Sequence, residues 1–174
     1  MEIFVASEMK YRGIIFDVTQ RTVTLPNGRQ AKRDIVEHNG AAAVVALTKY
    51  GEVVLVRQYR EAAKDYLLEI PAGKLEAGED PAACALRELE EETGYRAGSV
   101  RLMFKARPAA AYCTEMLYIF AATDLTQGAS HPDTDEFVTA LLHPLPQVLG
   151  MIESGVITDM KTIAGVLHFA QFML

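Results

Sequence analysis

Residues 73–95 read GKLEAGEDPAACALRELEEETGY, and this stretch decides the fold. Asp80 is a helix N-cap residue, Pro81 suits the first helical position, and Gly94 suits the left-handed residue beyond the last turn. A helix over Pro81–Thr93 follows, with Ala82, Leu86, Leu89 and Thr93 within about 60° of one another as the sheet-facing arc. On the same wheel Glu88, Glu91 and Glu92 share an arc of about 100°. Like charges at this spacing destabilise a helix by about 0.2–0.5 kcal/mol per pair, and a hard divalent cation reverses that sign. Oxygen donors in this pattern suit Mg²⁺, with Mn²⁺ as an alternative. A solvated acidic face is the competing reading.

The charge of the whole chain points to the same place. Among 174 residues the net charge is -6, and the window 69–92 alone holds eight carboxylates against Lys74 and Arg87. The remainder is balanced, which argues against a nucleic-acid-binding surface. Half of the residues are apolar and 23% are charged, as in a globular domain. The longest apolar run, Ala41–Leu47, is too short to span a bilayer, and the first residues have no signal-peptide pattern, so a cytoplasmic protein without a membrane partner is expected. Cys84 and Cys113 form no paired motif and are expected to be reduced and structural.

Outward from the helix, strands dominate. Tyr11–Val18 and Arg21–Leu25 are rich in β-branched and aromatic residues, Pro26-Asn27-Gly28 marks a hairpin, and Gln30–Val36 continues it. Ala41–Leu47 and Glu52–Tyr59, joined by Lys49-Tyr50-Gly51, read as a hairpin in the buried sheet. Tyr66–Ile70, Val100–Ala106 and Leu117–Ala121 are further strands. Helices over 146–153 and 159–172 close the chain, the second with Ile163, Val166, Leu167 and Ala170 as its apolar stripe. The four histidines make no metal-binding spacing, and Gly73–Gly78 lacks the lysine of a P-loop.

Gly73, five residues, Glu79, seven residues, then Arg87-Glu88-Leu89-Glu90-Glu91-Glu92-Thr93-Gly94-Tyr95 resembles the complete Nudix box at every specified position. Arg87 and Glu91, four apart, can pair, and Glu79 can join the same arginine. The resemblance implies an α/β/α sandwich with a mixed β-sheet. It also implies Mg²⁺ held by Glu88 and Glu92 with the carbonyl of Ala72, Glu91 close by, a mainly structural part for Gly73, Glu79, Arg87 and Gly94, and hydrolysis of a nucleoside diphosphate linked to another group.

Resemblance to the ADP-ribose pyrophosphatase branch extends further, through 33–42, Val56-Arg57-Gln58-Tyr59-Arg60, Leu68-Glu69-Ile70-Pro71-Ala72-Gly73 and 157–164. It implies substrate contacts from Arg57, Arg60 and Glu69, and from Arg33 across a swapped homodimer. On that reading residues 1–38 are an antiparallel β extension for dimerisation and 39–174 the catalytic domain. Guanidinium forks suit pyrophosphate oxygens, and Arg60, near the box, is the first choice. Arg107–Glu115 keeps the branch's proline and Thr-Glu pair, with Glu115 as a contact, but lacks its serine and glycine. A general base is expected from the acidic stretch 131–136, Glu136 first and Asp135 second. ADP-ribose is the expected substrate. Another nucleotide sugar such as GDP-mannose is the rival, and a non-catalytic nucleotide sensor is the third reading.

Overall fold

In the computed structural model, which describes residues 1–131 and 137–173, the chain divides into two units. The first comprises 1–40 and 107–116. It is a three-stranded antiparallel sheet of β1 (Ile3–Arg12), β2 (Asp17–Thr24) and β3 (Gln30–Glu37), in that order. The Pro26-Asn27-Gly28 turn is present, with Gly28 at φ 80° and its N–H on Leu25 O at 2.9 Å. The first strand departs from expectation. The chain turns at Gly13–Phe16, where the sequence suggested continuous strand, and the strand before it begins at Ile3. Gly13 permits the break, since its N–H reaches Phe16 O at 3.1 Å and a Cβ there would stand 2.6 Å from that oxygen.

The second unit comprises 41–106 and 117–174. Its strands are β4 (Ala41–Ala46), β5 (Glu52–Arg60), β6 (Asp65–Glu69), β7 (Ala72–Lys74), β8 (Tyr95–Ala106), β9 (Leu117–Gln127) and β10 (Val138–Pro144). Its helices are α1 (Pro81–Thr93), α2 (Leu145–Glu153) and α3 (Met160–Phe172). One sheet runs β7-β4-β9-β8 and is mixed, since β4 and β9 are parallel and the other pairs antiparallel. A second sheet runs β10-β5-β6. The predicted β4–β5 hairpin is thus corrected: its turn closes, with Thr48 N–H on Glu52 O at 2.8 Å, but the strands part into different sheets after a single Leu47–Val53 bridge. The reason lies in β4, whose two edges are taken by β7 and β9, so no ladder is left for β5.

Side-chain alternation along β4 and β9 builds two core layers. Ala42, Val44, Ala46, Phe120 and Ala122 meet Cys84, Ala85 and Leu89 of α1. Ala43, Val45, Ile119 and Ala121 meet Val148 of α2 and Val166 and Phe169 of α3. Helices therefore cover both faces of the mixed sheet, the expected sandwich. Gly165 brings α3 close, since a Cβ there would stand 3.1 Å from Val45. Leu167 is exposed, not core; the stripe of α3 is centred on Thr162, Gly165, Val166 and Phe169. No helix among the described residues is long and apolar enough to cross a membrane.

Candidate functional site

Helix α1 forms as its signals require. Asp80 accepts the N–H groups of Ala82 and Ala83 at 3.0 and 3.1 Å, and Gly94 stops the helix at φ 76°. Its buried arc is rotated from the predicted one: Ala82 and Leu86 are only half-buried, and the covered residues are Cys84, Ala85, Glu88, Leu89, Glu92 and Thr93. Small side chains at 84 and 85 let the helix settle on that side. Glu88 and Glu92 therefore lie inside the covered arc, at 9% and 4% exposure, and the solvated-face reading does not describe them.

Covered carboxylates need partners, and these are specific. Glu92 Oε2 accepts the Ala72 N–H at 3.2 Å. Glu88 lies against Gly73 so closely that a Cβ on Gly73 would sit 1.8 Å from its Oε1. Gly73 thus makes the cradle for the Glu88 carboxylate. Arg87 serves three acids at once. Its Nε and Nη2 bind Glu79 at 3.0 and 3.2 Å, and its Nη1 binds Glu88 at 2.7 Å and Glu91 at 2.9 Å. The Glu79 hydrogen bond, then the neighbouring acids, push the Arg87 pKa up, and Arg87 in turn holds Glu79 below the usual carboxylate range. Burial pushes the Cys84 thiol up to about 12, so it is an inert packing residue.

No group of three or more His, Cys, Asp or Glu side chains among the described residues is gathered for a metal ion. The donors at hand are two carboxylates beside the 72–73 backbone. That set fits Mg²⁺, which is ordinarily held by one or two carboxylates and completes its shell with water and substrate phosphates. Beside α1 a cavity of about 370 Å³ is lined by Arg87, Glu90, Glu91 and His131. Its loop is latched to the helix end, with Gly128 N–H on Gly94 O at 2.8 Å and His131 N–H on Glu91 O at 3.0 Å. Gly94 permits this, since a Cβ there would meet Gly128 O at 2.7 Å. Glu136 and Asp135 lie outside the described residues.

A second ionic cluster sits at the N-terminus of α3. Glu69, 2% exposed, is held on Oε1 and Oε2 by Arg60 Nε and Nη2 at 2.7 Å each, and on Oε2 also by Lys161. Burial alone would raise the Glu69 pKa, but the hydrogen bonds and charges of Arg60 and Lys161 outweigh it and the net shift is downward. Asp159 caps α3 through Thr162 N–H at 2.9 Å, and Thr162 Oγ1 accepts the Ile70 N–H at 2.8 Å. Lys161, Asp159 and Thr162 were not picked out as site residues by sequence reasoning. The signal that could have found them was the Thr158-Asp159 capping pattern followed by a lysine.

The remaining sequence candidates fall elsewhere. Arg57 is exposed and stacks over Tyr66 at 3.9 Å, a different partner from that of Arg60. In the first unit Arg33 pairs with Glu2 at 2.5 Å, and Glu115 lies 4.0 Å from His38 Nδ1. Thr114 Oγ1 accepts the His38 N–H at 2.8 Å, and Val36 N–H reaches Tyr112 O at 2.7 Å, so 112–114 is fastened to the end of β3.

A NUDIX domain model matches residues 37–164. An ADP-ribose pyrophosphatase of Bacillus subtilis is 39% identical over 160 residues, covering 91% of this chain and 86% of that protein. A methanol dehydrogenase activator of Bacillus methanolicus is 38% identical over 164 residues, covering 93% and 89%. A GDP-mannose pyrophosphatase of Citrobacter koseri is 34% identical over 164 residues, covering 87% and 83%. A solved crystal structure described as an ADP compounds hydrolase superposes with a TM-score of 0.87 over 99% of this chain and 94% of the other; at 21% identity this is a likeness of fold.

Proposed function

The chain belongs to the NUDIX domain family, and from that premise we propose that it hydrolyses the pyrophosphate bond of ADP-ribose to AMP and ribose 5-phosphate with Mg²⁺. The observation that carries this reading is the pair of covered carboxylates, Glu88 and Glu92, laid against the 72–73 backbone and steadied by Arg87. Glu88, Glu92 and the Ala72 carbonyl would hold the metal, with Glu91 beside them. Bound there, Mg²⁺ would neutralise phosphate charge and lower the pKa of water.

The chain's own residues do the rest. Arg87 keeps Glu88 aimed at Gly73 and spends its other donors on Glu79 and Glu91, which fixes the box loop to the helix. Arg60 contacts Glu69 through Nε and Nη2, and its Nη1 would grip a phosphate oxygen; Arg57 and Glu115 are further substrate contacts. Glu136, with Asp135 as the second choice, takes the water's proton.

A homodimer is part of the same proposal, with residues 1–38 as its extension and Arg33 reaching the partner's site. Its support is β1, exposed along all ten residues, with Ile3 at 66%, Phe4 at 61% and Tyr11 at 58%. Exposed apolar side chains on an edge strand favour a second copy as cover.

GDP-mannose is the second reading, favoured by the missing serine and glycine in 107–115. Product analysis with Mg²⁺ and, separately, ADP-ribose, GDP-mannose, NADH and diadenosine polyphosphates tests the proposal. AMP and ribose 5-phosphate formed fastest support it; faster turnover of GDP-mannose transfers the metal site to the second reading; no hydrolysis of any of them overturns both.

A further inference from the structure

Lys161 stands in the first turn of α3 with a side chain only 16% exposed. A covered ammonium needs anionic partners, and it has two, Glu69 of β6 and, at 3.1 Å, Asp159 of the helix cap. Glu69 is shared with Arg60, and its two cations differ in setting. Arg60 is 41% exposed and lies within electrostatic reach of Glu92, whereas Lys161 approaches Glu69 under cover. Both bind Oε2 of the carboxylate.

We propose that Lys161 is a positioning residue for substrate binding: it fixes the Glu69 carboxylate, which clamps one edge of the Arg60 guanidinium and so aims the rest at the pyrophosphate of a nucleoside diphosphate sugar. The inference deepens the reading of Arg60 as the phosphate-binding residue and rests on it. Guanidinium donors lie in one plane at fixed angles, so holding the Nε–Nη2 edge sets the direction of Nη1. Lys161 is itself set by Asp159, which also accepts Thr162 N–H at 2.9 Å. Through Thr162 Oγ1 the same turn takes the Ile70 N–H at 2.8 Å, two residues before Ala72. The phosphate grip and the backbone beside Glu88 are thereby referenced to one helix cap. An unclamped arginine would still carry its charge but would have to order itself on binding, a cost that appears in the Michaelis constant.

Steady-state kinetics with ADP-ribose and Mg²⁺ on Lys161→Met, Lys161→Arg, Arg60→Ala and the Lys161→Met/Arg60→Ala double variant test this. Lys161→Met is expected to raise KM about tenfold with kcat changed less than about threefold and the Mg²⁺ activation profile unmoved, the signature of lost uniform binding. Lys161→Arg restores most of KM. In the Arg60→Ala background the Lys161→Met change adds nothing further to KM, because its effect passes through Arg60. An equal rise in that background, or a fall in kcat at constant KM, overturns the inference. If Arg60→Ala leaves KM unchanged, the phosphate reading of Arg60 fails and takes the inference with it. If Arg60→Ala raises KM and Lys161→Met does not, the inference alone is overturned. Should Lys161→Met not fold, Glu69→Gln reads the same coupling: a KM rise only where Arg60 is present supports it, and a rise in both backgrounds overturns it.

Discussion

The two ionic clusters of the second unit are built in opposite proportions. Around Arg87 one guanidinium faces Glu79, Glu88 and Glu91, with Glu92 a turn beyond. Around Glu69 the ion-paired acids and bases balance, Glu69 and Asp159 against Arg60 and Lys161, with Glu92 of the first cluster acting on Arg60 from farther off. A cluster short of positive charge is satisfied by adding a cation, whereas a balanced one is already complete and can hold a side chain still. The first is suited to taking a metal, and the second to presenting an arginine.

Removing a donor from the acid-rich cluster should have the largest effect. Glu92→Gln is expected to lower turnover of ADP-ribose with Mg²⁺ by about a thousandfold or more, the scale of several kcal/mol of charge stabilisation, with an unchanged far-ultraviolet spectrum. Substantial residual activity would remove Glu92 from the metal site. Gly73→Ala should cost about a hundredfold in kcat, because the new methyl displaces the Glu88 carboxylate. Since the displaced atoms end a side chain, the melting temperature should move little; a large drop would mean that Gly73 serves the fold instead.

The balanced cluster should answer to acid. Glu69 is held below its ordinary pKa, so its stabilising contribution is fully present above the unfolded value of about 4.3 and is lost as pH falls from there through the lowered folded value. Melting curves between about pH 3 and 6 should show this loss in the parent chain and a shallower one in Glu69→Gln; identical slopes would dissociate Glu69 from acid stability. The smallest effect on catalysis is expected from Phe4→Glu, which places a charge on the exposed edge strand β1. Light scattering should read a dimer in the parent and a monomer in the variant, and KM for ADP-ribose should rise by about threefold as Arg33 is lost from the partner's site; a monomer with unchanged KM would remove Arg33 from the site.

Much of this was legible in residues 73–95, because caps, box spacing and carboxylate arc are local features that a helix must obey. The Arg87 hub could be written down from i to i+4 spacing and one loop acid. The rotation of α1 could not, since it depends on Cys84 and Ala85 offering less bulk than Leu86 to the β4 layer. The division of β4 and β5 between two sheets was equally hidden: local turn chemistry was right, but pairing was decided by β7 and β9 taking both edges of β4. The Glu69 cluster joins residues 92 positions apart, a separation over which sequence pattern carries no register. β7 and β10 escaped notice because three residues and a strand of mixed polarity give no periodic signal.

The alanines of β4 have a reach that their size conceals. Ala42 and Ala46 face α1, and a helix seated on methyl groups lies closer to its sheet than one seated on leucines. That closeness is what allows a glutamate on the helix to rest on the α-carbon of Gly73. Ala42 and Ala46, which read as filler in an apolar run, are therefore the shim that sets the height of the carboxylates, and adding a methylene at either would detune the site without touching any residue in it.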